Sequence, residues 1–467
     1  MRRTDRAAAR DAGPGWTIDT LRHWDQRIRE QVESSGLACF PQEFEICDQN
    51  QMLGYMAYAG MPAHYPHWSF GKRFEKLKTL HDVGATGLPY EMVINANPSL
   101  AYLMKDNSLC QQILTMAHVY GHNDFFRNNV YFGHTHPELV TGAFKLRAER
   151  VRDYIEDPSI GLERVEAFLD AAHALSLQVR RHAFIRKASR AEQEARALRR
   201  SQPPRDPHAS IHPPAKPVAV DLERVPLEPE EDLLLFIRDH STYLADWQKD
   251  VLTIVDGQAR YFLPQIQTKI MNEGWASFWH HRILNALALP QGLHLEFLVH
   301  HNQVIRPQPG GLNPYHVGYR LWQHIHEEHG EAALFEVREV DSDVSFLRRF
   351  LDERLMRELD LYEYAKRGNQ LVVSRVADEE HWRDVKATLL NQVGVSSVPV
   401  IRVLDADYDA NRTLLLEHAY DGRELESEYA MRTLAHVRRL WGRRVLLDTV
   451  MGDERLRLSS EGDPTLR

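Results

Sequence analysis

Two stretches of the sequence carry residue types that bind a divalent metal. In the first, His118 and His122 are four residues apart, so a helix would place both imidazoles on one face. In the second, Glu273 and His280 fall on an apolar stripe, where an acid and an imidazole are costly unless paired or metal-bound. Two histidines from one helix and a glutamate from another suit zinc. The sequence therefore predicts His118, His122 and Glu273 as metal ligands, with His280 as a fourth ligand or a partner behind them.

The spacing of these residues is similar to that of zinc aminopeptidases of the gluzincin class. Those enzymes carry two ligands in the pattern HExxH and a third in a helical segment that resembles residues 272–277 here. Two departures are evident. The residue after His118 is Val119, so the glutamate that acts as general base is missing, and the stretch between His122 and Glu273 is longer than usual in that class.

The catalytic residues therefore stay unassigned at this point. A general base could come from another part of the chain, for instance from Glu91, Asp124 or Glu43. The alternative hypothesis is a protein that is not an enzyme, in which the same four polar side chains form a buried hydrogen-bonded network without an ion. A di-iron carboxylate bundle is less well supported, because the two predicted helices offer no pair of Glu-x-x-His motifs.

Other histidine clusters fit a metal site less well. Residues 324–329 contain three histidines and two glutamates, but the spacing misses the inverted H-x-x-E-H pattern, and a solvated helix face is the better interpretation. His134 and His136 fall in a predicted turn beside Gly133. Both clusters are expected to play no part in the site.

Composition excludes several classes of function. The chain has 467 residues, 43% of them apolar, which is enough for about two to three domains. A formal charge of −9 argues against nucleic acid as a partner, and no apolar run is long enough to span a membrane. The three cysteines show no CxxC spacing, which indicates reduced thiols in a cytoplasmic protein: Cys39, Cys47 and Cys110.

The patterning predicts an α+β fold that is predominantly α-helical, with a degenerate zincin-like core and a small α+β domain at the C-terminus. The predicted organisation has five parts. They are a disordered basic arm over 1–14, the first part of a helical core over 15–200, a proline-rich linker or strap over 201–232, the second part of the core over 233–340, and a helical connection with the α+β domain over 341–467. The two halves of the predicted site therefore lie on opposite sides of the strap in sequence.

Four motifs closely resemble those of the stage V sporulation protein R (SpoVR-like) family. The resemblance extends from about Trp16 to Val450, and the missing glutamate after His118 is a feature of that family. The motifs are residues 66–74, 117–129, 267–280 and 313–315.

This resemblance indicates the biological process in which the protein takes part, but it does not indicate a particular chemical reaction. The family is cytoplasmic and is named for a role in forming the spore cortex. It also occurs in bacteria that do not form spores, where it is associated with stress or stationary phase. There the family occurs together with a serine protein kinase and a von Willebrand-like protein, which are the partners that the resemblance implies.

Overall fold

The protein is described here from a computed structural model. The structure describes residues 15–83, 91–182, 184–202, 220–308, 311–367, 370–376, 381–452 and 454–466. The predicted basic arm over 1–14 and most of the predicted strap lie outside the described residues.

The chain divides into two compact units, each built from two stretches of sequence. The first unit comprises residues 1–152 and 264–397, and the second comprises 153–263 and 398–467. The predicted divisions at residues 200, 232 and 340 differ from these boundaries. The periodic patterns that locate helices do not reveal which helices pack together, because packing depends on contacts between distant segments.

The first unit is predominantly helical, as the sequence predicts. Its helices are α1 (Ile18–Ser34), α2 (Gln49–Ala57), α3 (Trp68–Asp82), α4 (Leu109–Asn128), most of α5 (Val140–Glu156), α10 (Lys269–Ala286), α11 (Gln291–Val304), α12 (Pro314–His329), α13 (Glu331–Val340), α14 (Asp343–Phe350), α15 (Glu353–Glu358) and α16 (Trp382–Gln392). A three-stranded sheet has the order β1 (Gln42–Cys47), β3 (Ser99–Met104), β2 (Glu91–Ile94), with β1 parallel and β2 antiparallel to β3. Strands β4 (Tyr362–Arg367) and β5 (Gln370–Val376) form an antiparallel pair.

The second unit contains the small C-terminal sheet domain that the sequence predicts. Its helices are α6 (Leu162–Ala174), α7 (Arg190–Ser201), α8 (Leu233–His240), most of α9 (Asp246–Gln267) and α17 (Ser427–Trp441). Its sheet has the order β10-β9-β8-β7-β6, with strands β6 (Ile401–Tyr408), β7 (Thr413–His418), β8 (Val445–Met451), β9 (Glu454–Ser459) and β10 (Gly462–Leu466). Only β7 and β8 run parallel, and α17 connects them. The last two strands are not predicted, although residues 455–458 alternate Arg and Leu in the period of a strand.

Side-chain caps explain where the helices that carry the site begin. The Ser108 hydroxyl accepts a hydrogen bond from the Gln111 backbone N–H, and the Gln111 side-chain oxygen accepts one from the Ser108 N–H. Helix α4 therefore starts with a capping box. The sequence Asn313-Pro314 predicts an N-cap followed by proline in the first turn, and Asn313 does cap α12 in this way.

Helix α10 begins later than the sequence suggests. The apolar stripe predicts a single helix opening near Pro264, but Pro264 lies inside α9, and the chain breaks at Thr268 before α10 starts. The Asp343 carboxylate accepts two backbone N–H groups in the first turn of α10, those of Ile270 and Met271, each at 2.9 Å. The stripe continues across the break, so periodicity alone did not show it.

Two glycines let the central helices of the first unit cross closely. A methyl group at Gly121 of α4 would lie 2.6 Å from the Cα of Ala276 in α10. A methyl group at Gly274 of α10 would lie 2.3 Å from the carbonyl carbon of Gly318 in α12. Distances this short are forbidden to real atoms, so α10 can pack between α4 and α12 only because these positions are glycine.

No helix among the described residues is both long and apolar enough to cross a membrane.

Candidate metal centre

The helix crossing brings together residues from three elements of the first unit. His118 and His122 lie on α4, one turn apart, with ring centroids 4.6 Å from each other. Glu273 lies on α10, and Glu91 is the first residue of β2. The imidazoles are buried, with side chains 4% and 6% exposed, while the two carboxylates keep 16% and 18% of their surface exposed. The cluster is therefore a buried site with limited access to solvent.

The distances within this cluster are close to those between ligands of a single ion. Glu273 Oε2 lies 3.5 Å from His122 Nε2 and 3.9 Å from His118 Nε2. Glu91 Oε1 lies 3.9 Å from His118 Nε2. Ligand atoms around a tetrahedral zinc ion, each about 2.1 Å from the metal, are about 3.4 Å apart.

Hydrogen bonds at the far side of each ring decide which nitrogen faces the cluster. His122 Nδ1 lies 2.9 Å from the Asn272 side-chain oxygen, which can only accept, so Nδ1 carries the proton and Nε2 is a bare acceptor. His118 Nδ1 lies 2.9 Å from His280 Nδ1, and His280 Nε2 lies 2.8 Å from His301 Nδ1. If each ring donates to the next in the direction of His301, all three are neutral and His118 Nε2 is also bare.

The structure thus gives His280 a place behind His118. Both ring nitrogens of His280 are engaged by other imidazoles, so of the two roles that the sequence allows, the geometry favours the outer partner over the fourth ligand. His301 was not predicted, because its neighbours in sequence give no sign that it meets His280.

Burial and the neighbouring imidazoles perturb the ionisation of the cluster. Desolvation, together with the nearby Glu273 charge, raises the pKa of Glu91. Burial alone would also raise the pKa of Glu273, but His118, His122 and the Tyr315 hydroxyl outweigh it, and the pKa of Glu273 is lowered. Burial lowers the pKa of His122 to about 4. At neutral pH, Glu273 is therefore ionised beside a neutral His122.

The cluster lacks a cation of its own. Among the described residues, no lysine or arginine forms an ion pair with Glu91 or Glu273. His118 Nε2 is buried and makes no hydrogen bond, since its nearest carboxylate oxygens are too distant at 3.9 Å. A buried imidazole nitrogen that has no hydrogen-bond partner and faces two carboxylates is expected where a cation binds.

Of the three carboxylates considered as a general base, only Glu91 faces this cluster. Asp124 is fully buried in an ion pair with Arg338, and Glu43 is exposed on β1. Glu91 forms, together with His118 and His122, the one group of potential metal ligands found within the described part of the chain.

Tyr315 is a further member of the cluster that chemical reasoning from the sequence did not identify. Its hydroxyl hydrogen-bonds Glu273, and its ring stacks 6.0 Å from that of His118. The Glu273 charge and burial raise the pKa of Tyr315 far above its usual value, so the hydroxyl keeps its proton and can donate it. The only signal was its place in the motif Asn313-Pro314-Tyr315.

The other histidine clusters do not join this group. His326 and His329 lie on α12 among residues that are half-buried or exposed, and His324 is hydrogen-bonded to Arg354. The His136 side chain is 71% exposed beside Glu138. These positions agree with the predicted helix face and turn.

The first unit thus defines a class of mainly helical proteins with a buried histidine–carboxylate centre. The chain belongs to the SpoVR family: the profile described as "SpoVR like protein" matches residues 15–398, and that of the "SpoVR-like C-terminal domain" matches residues 399–452. The chain is 32% identical over 501 residues to the uncharacterized protein YcgB of Escherichia coli (strain K12), covering 97% of this chain and 96% of that protein. No solved structure matches it.

Proposed function

We propose that this SpoVR-like protein binds one divalent metal ion, with zinc as the best candidate, through His118, His122 and Glu273. The observation that carries the proposal is that the Nε2 atoms of His118 and His122 both face the Glu273 carboxylate, at 3.9 and 3.5 Å, with no lysine or arginine among the described residues paired with it. Two neutral imidazoles and a carboxylate match the ligand preference of zinc and the ligand set of a gluzincin-like site. A degenerate zincin-like core, in which the residue after His118 is not glutamate, is part of this proposal.

The chemistry that this arrangement supports is hydrolysis of an amide bond. When bound, the ion would polarise the carbonyl group and increase the acidity of the attacking water. Glu91 would take a proton from the water as the water oxygen bonds to the carbonyl carbon. It would then give that proton to the amide nitrogen as the C–N bond breaks. Tyr315 would donate a hydrogen bond to the developing negative charge on the carbonyl oxygen.

The assignment of the two carboxylates rests on distance. Glu273 lies within 4 Å of both imidazole nitrogens, whereas Glu91 comes this close only to His118. Glu273 is therefore the better third ligand. Glu91, on a separate strand and with a raised pKa, is better suited to transfer a proton.

The family name supports a role in sporulation, and cytoplasmic stress or stationary-phase physiology is the broader setting that we propose. A non-catalytic scaffold or regulator, acting with a serine protein kinase and a von Willebrand-like partner, is the second candidate. The chain of hydrogen bonds from His118 through His280 to His301 favours it, because such a network can satisfy buried imidazoles without an ion.

Elemental analysis of protein purified without a polyhistidine tag separates these candidates. We expect one ion per chain in the wild type and in Glu91→Gln, and no ion in Glu273→Gln. His329→Gln, at the exposed end of α12, serves as the control and should keep the ion. Absence of an ion in wild-type protein after supplementation with zinc, iron and manganese would refute the metal site and leave the scaffold.

The role of Glu91 has a separate test. If wild-type protein with its ion hydrolyses a peptide or peptidoglycan fragment, Glu91→Gln should retain the ion and lose about two to four orders of magnitude in kcat. Activity in Glu91→Gln within a few-fold of wild type would show that another group transfers the proton.

A further inference from the structure

The second unit contains a cavity of about 740 Å³ that is lined by cationic side chains. Helix α7, the segment 225–231 and Arg402 of β6 contribute to its walls. Six arginines and one lysine line it, against three glutamates. Arg186 and Arg190 pair with Glu192 and Glu194, which do not line the cavity, so the excess of positive charge is smaller than these counts but remains.

One face of α7 supplies much of this charge. Arg190, Gln193, Arg196 and Arg200 follow one another at steps of three, three and four residues, so they share one stripe of the helix, and all four line the cavity. No residue of α7 is buried. The helix therefore adds little to an apolar core, and its contribution to this unit is the polar stripe that it turns towards the cavity.

The carboxylates of the cavity wall do not match these cations one for one. Arg196 and Arg200 share a single glutamate, Glu228, at 3.3 and 3.9 Å. Glu230 pairs with Lys187, and Glu231 pairs with Arg402. A second anion could thus bind Arg196 and Arg200 without displacing Glu230 or Glu231 from its partner.

The remainder of the wall limits the size and nature of the ligand. The volume lies in the usual range for small-molecule sites and is too small for a nucleic-acid duplex. Apolar side chains of the 225–227 segment also line the cavity, including Val225 and Leu227. We propose that this cavity binds a small phosphate-bearing molecule, whose phosphate groups contact Arg196 and Arg200 while its organic part lies against the 225–227 segment.

Calorimetric titration of the full chain tests this proposal, with pyrophosphate and ADP as probes. We expect saturable binding that weakens as salt is added. Arg196→Ala combined with Arg200→Ala should lower the affinity at least about tenfold, since the double variant lacks both guanidinium groups that would donate hydrogen bonds to the phosphate. The two side chains are 48% and 76% exposed, so the double variant should fold normally.

Arg432→Ala is the matched control, because Arg432 pairs with Glu428 on the surface of α17 in the same unit. It should leave the affinity unchanged. ADP that binds more tightly than pyrophosphate supports an organic phosphate, and equal affinities support the phosphate group as the recognised part. The proposal is overturned if neither probe binds, if the double variant binds as well as wild type, or if only a phosphorylated peptide binds.

Discussion

Helices α4 and α10 carry two buried carboxylate clusters that differ in one respect, the presence of a cation. On one side, Asp124 of α4 accepts hydrogen bonds from the Trp275 indole at 2.9 Å, from the Ala38 N–H at 2.7 Å and from Arg338 at 2.9 Å. We call this the closed cluster. On the other side lies the open cluster of Glu91, Glu273, His118 and His122, in which the described residues provide neither an arginine nor a lysine as partner.

The two clusters are close in sequence. His122 precedes Asp124 by two residues, and Glu273 precedes Trp275 by two, so each helix turns one member to each side. The closed cluster is complete because α13 supplies Arg338. A buried carboxylate with its own cation is structural, whereas one that faces bare imidazoles is suited to bind a cation from solution.

Removing the cation of the closed cluster should cause the largest loss of stability. Arg338→Met leaves the Asp124 carboxylate buried without its cation, and the expected loss is about 3–5 kcal/mol in the free energy of unfolding. Urea denaturation measures it. The control is Arg22→Ala, which removes an ion pair whose side chains are 77% and 90% exposed, and should change stability by less than about 0.5 kcal/mol. Equal effects from the two variants would contradict the comparison.

Filling the open cluster should stabilise the protein. Zinc at about 100 times its Kd should add about 2.7 kcal/mol, seen as a higher Tm, because the ion binds the folded chain. A chelator should reverse the change. Glu273→Gln should show no response to zinc, and its metal-free stability at neutral pH should be somewhat lower than that of wild type, since the lowered pKa of Glu273 means that the fold stabilises the charge that the variant removes. A similar rise in Tm in that variant would place the ion elsewhere.

Pushing α10 away from α12 should disturb both clusters together, because α10 carries both Glu273 and Trp275. Gly274→Ala places a methyl group 2.3 Å from the Gly318 backbone, and overpacking of this kind costs about 1–3 kcal/mol. Gly142→Ala is the control, because a methyl group there meets nothing within 4 Å and should stabilise α5 slightly. Thermal unfolding should separate the variants, and an unchanged Tm for Gly274→Ala would show that the crossing is not tight.

Lowering the pH should reduce the stability of the protein through the open cluster. The pKa of His122 is lowered from 6.5 to about 4 by burial, so the folded protein binds fewer protons than the unfolded chain between these values. His122 should therefore contribute stability above pH 6.5 that is lost as pH falls towards 4, by about 1–3 kcal/mol in metal-free protein.

His122→Gln should show a shallower fall in stability over this pH range when measured with a chelator present. The exposed His23→Gln variant should keep the wild-type slope. Identical slopes in all three proteins would mean that His122 does not resist protonation in the folded state.

Residue types and local spacing were enough to predict a mostly helical chain, a small C-terminal sheet domain and the cap at Asn313. These features depend on contacts within a few residues, which is the range over which helical periodicity and capping act. The long motifs around His122 and Glu273 also identified the family. The same reasoning placed the start of the Glu273 helix too early, because the apolar stripe continues across the break at Thr268.

Tertiary structure decided how those residues are used. From the sequence, Glu91, Asp124 and Glu43 were equivalent candidates for a general base. Only the fold showed that Glu91 faces the imidazoles, that Asp124 is paired with Arg338 and that Glu43 is exposed to solvent. The fold also places His280 behind His118 and Tyr315 of α12 beside the His118 ring. The physical reason is that a buried charge is defined by its partners, and these partners come from segments up to about two hundred residues away, whose approach depends on the glycine contacts between helices.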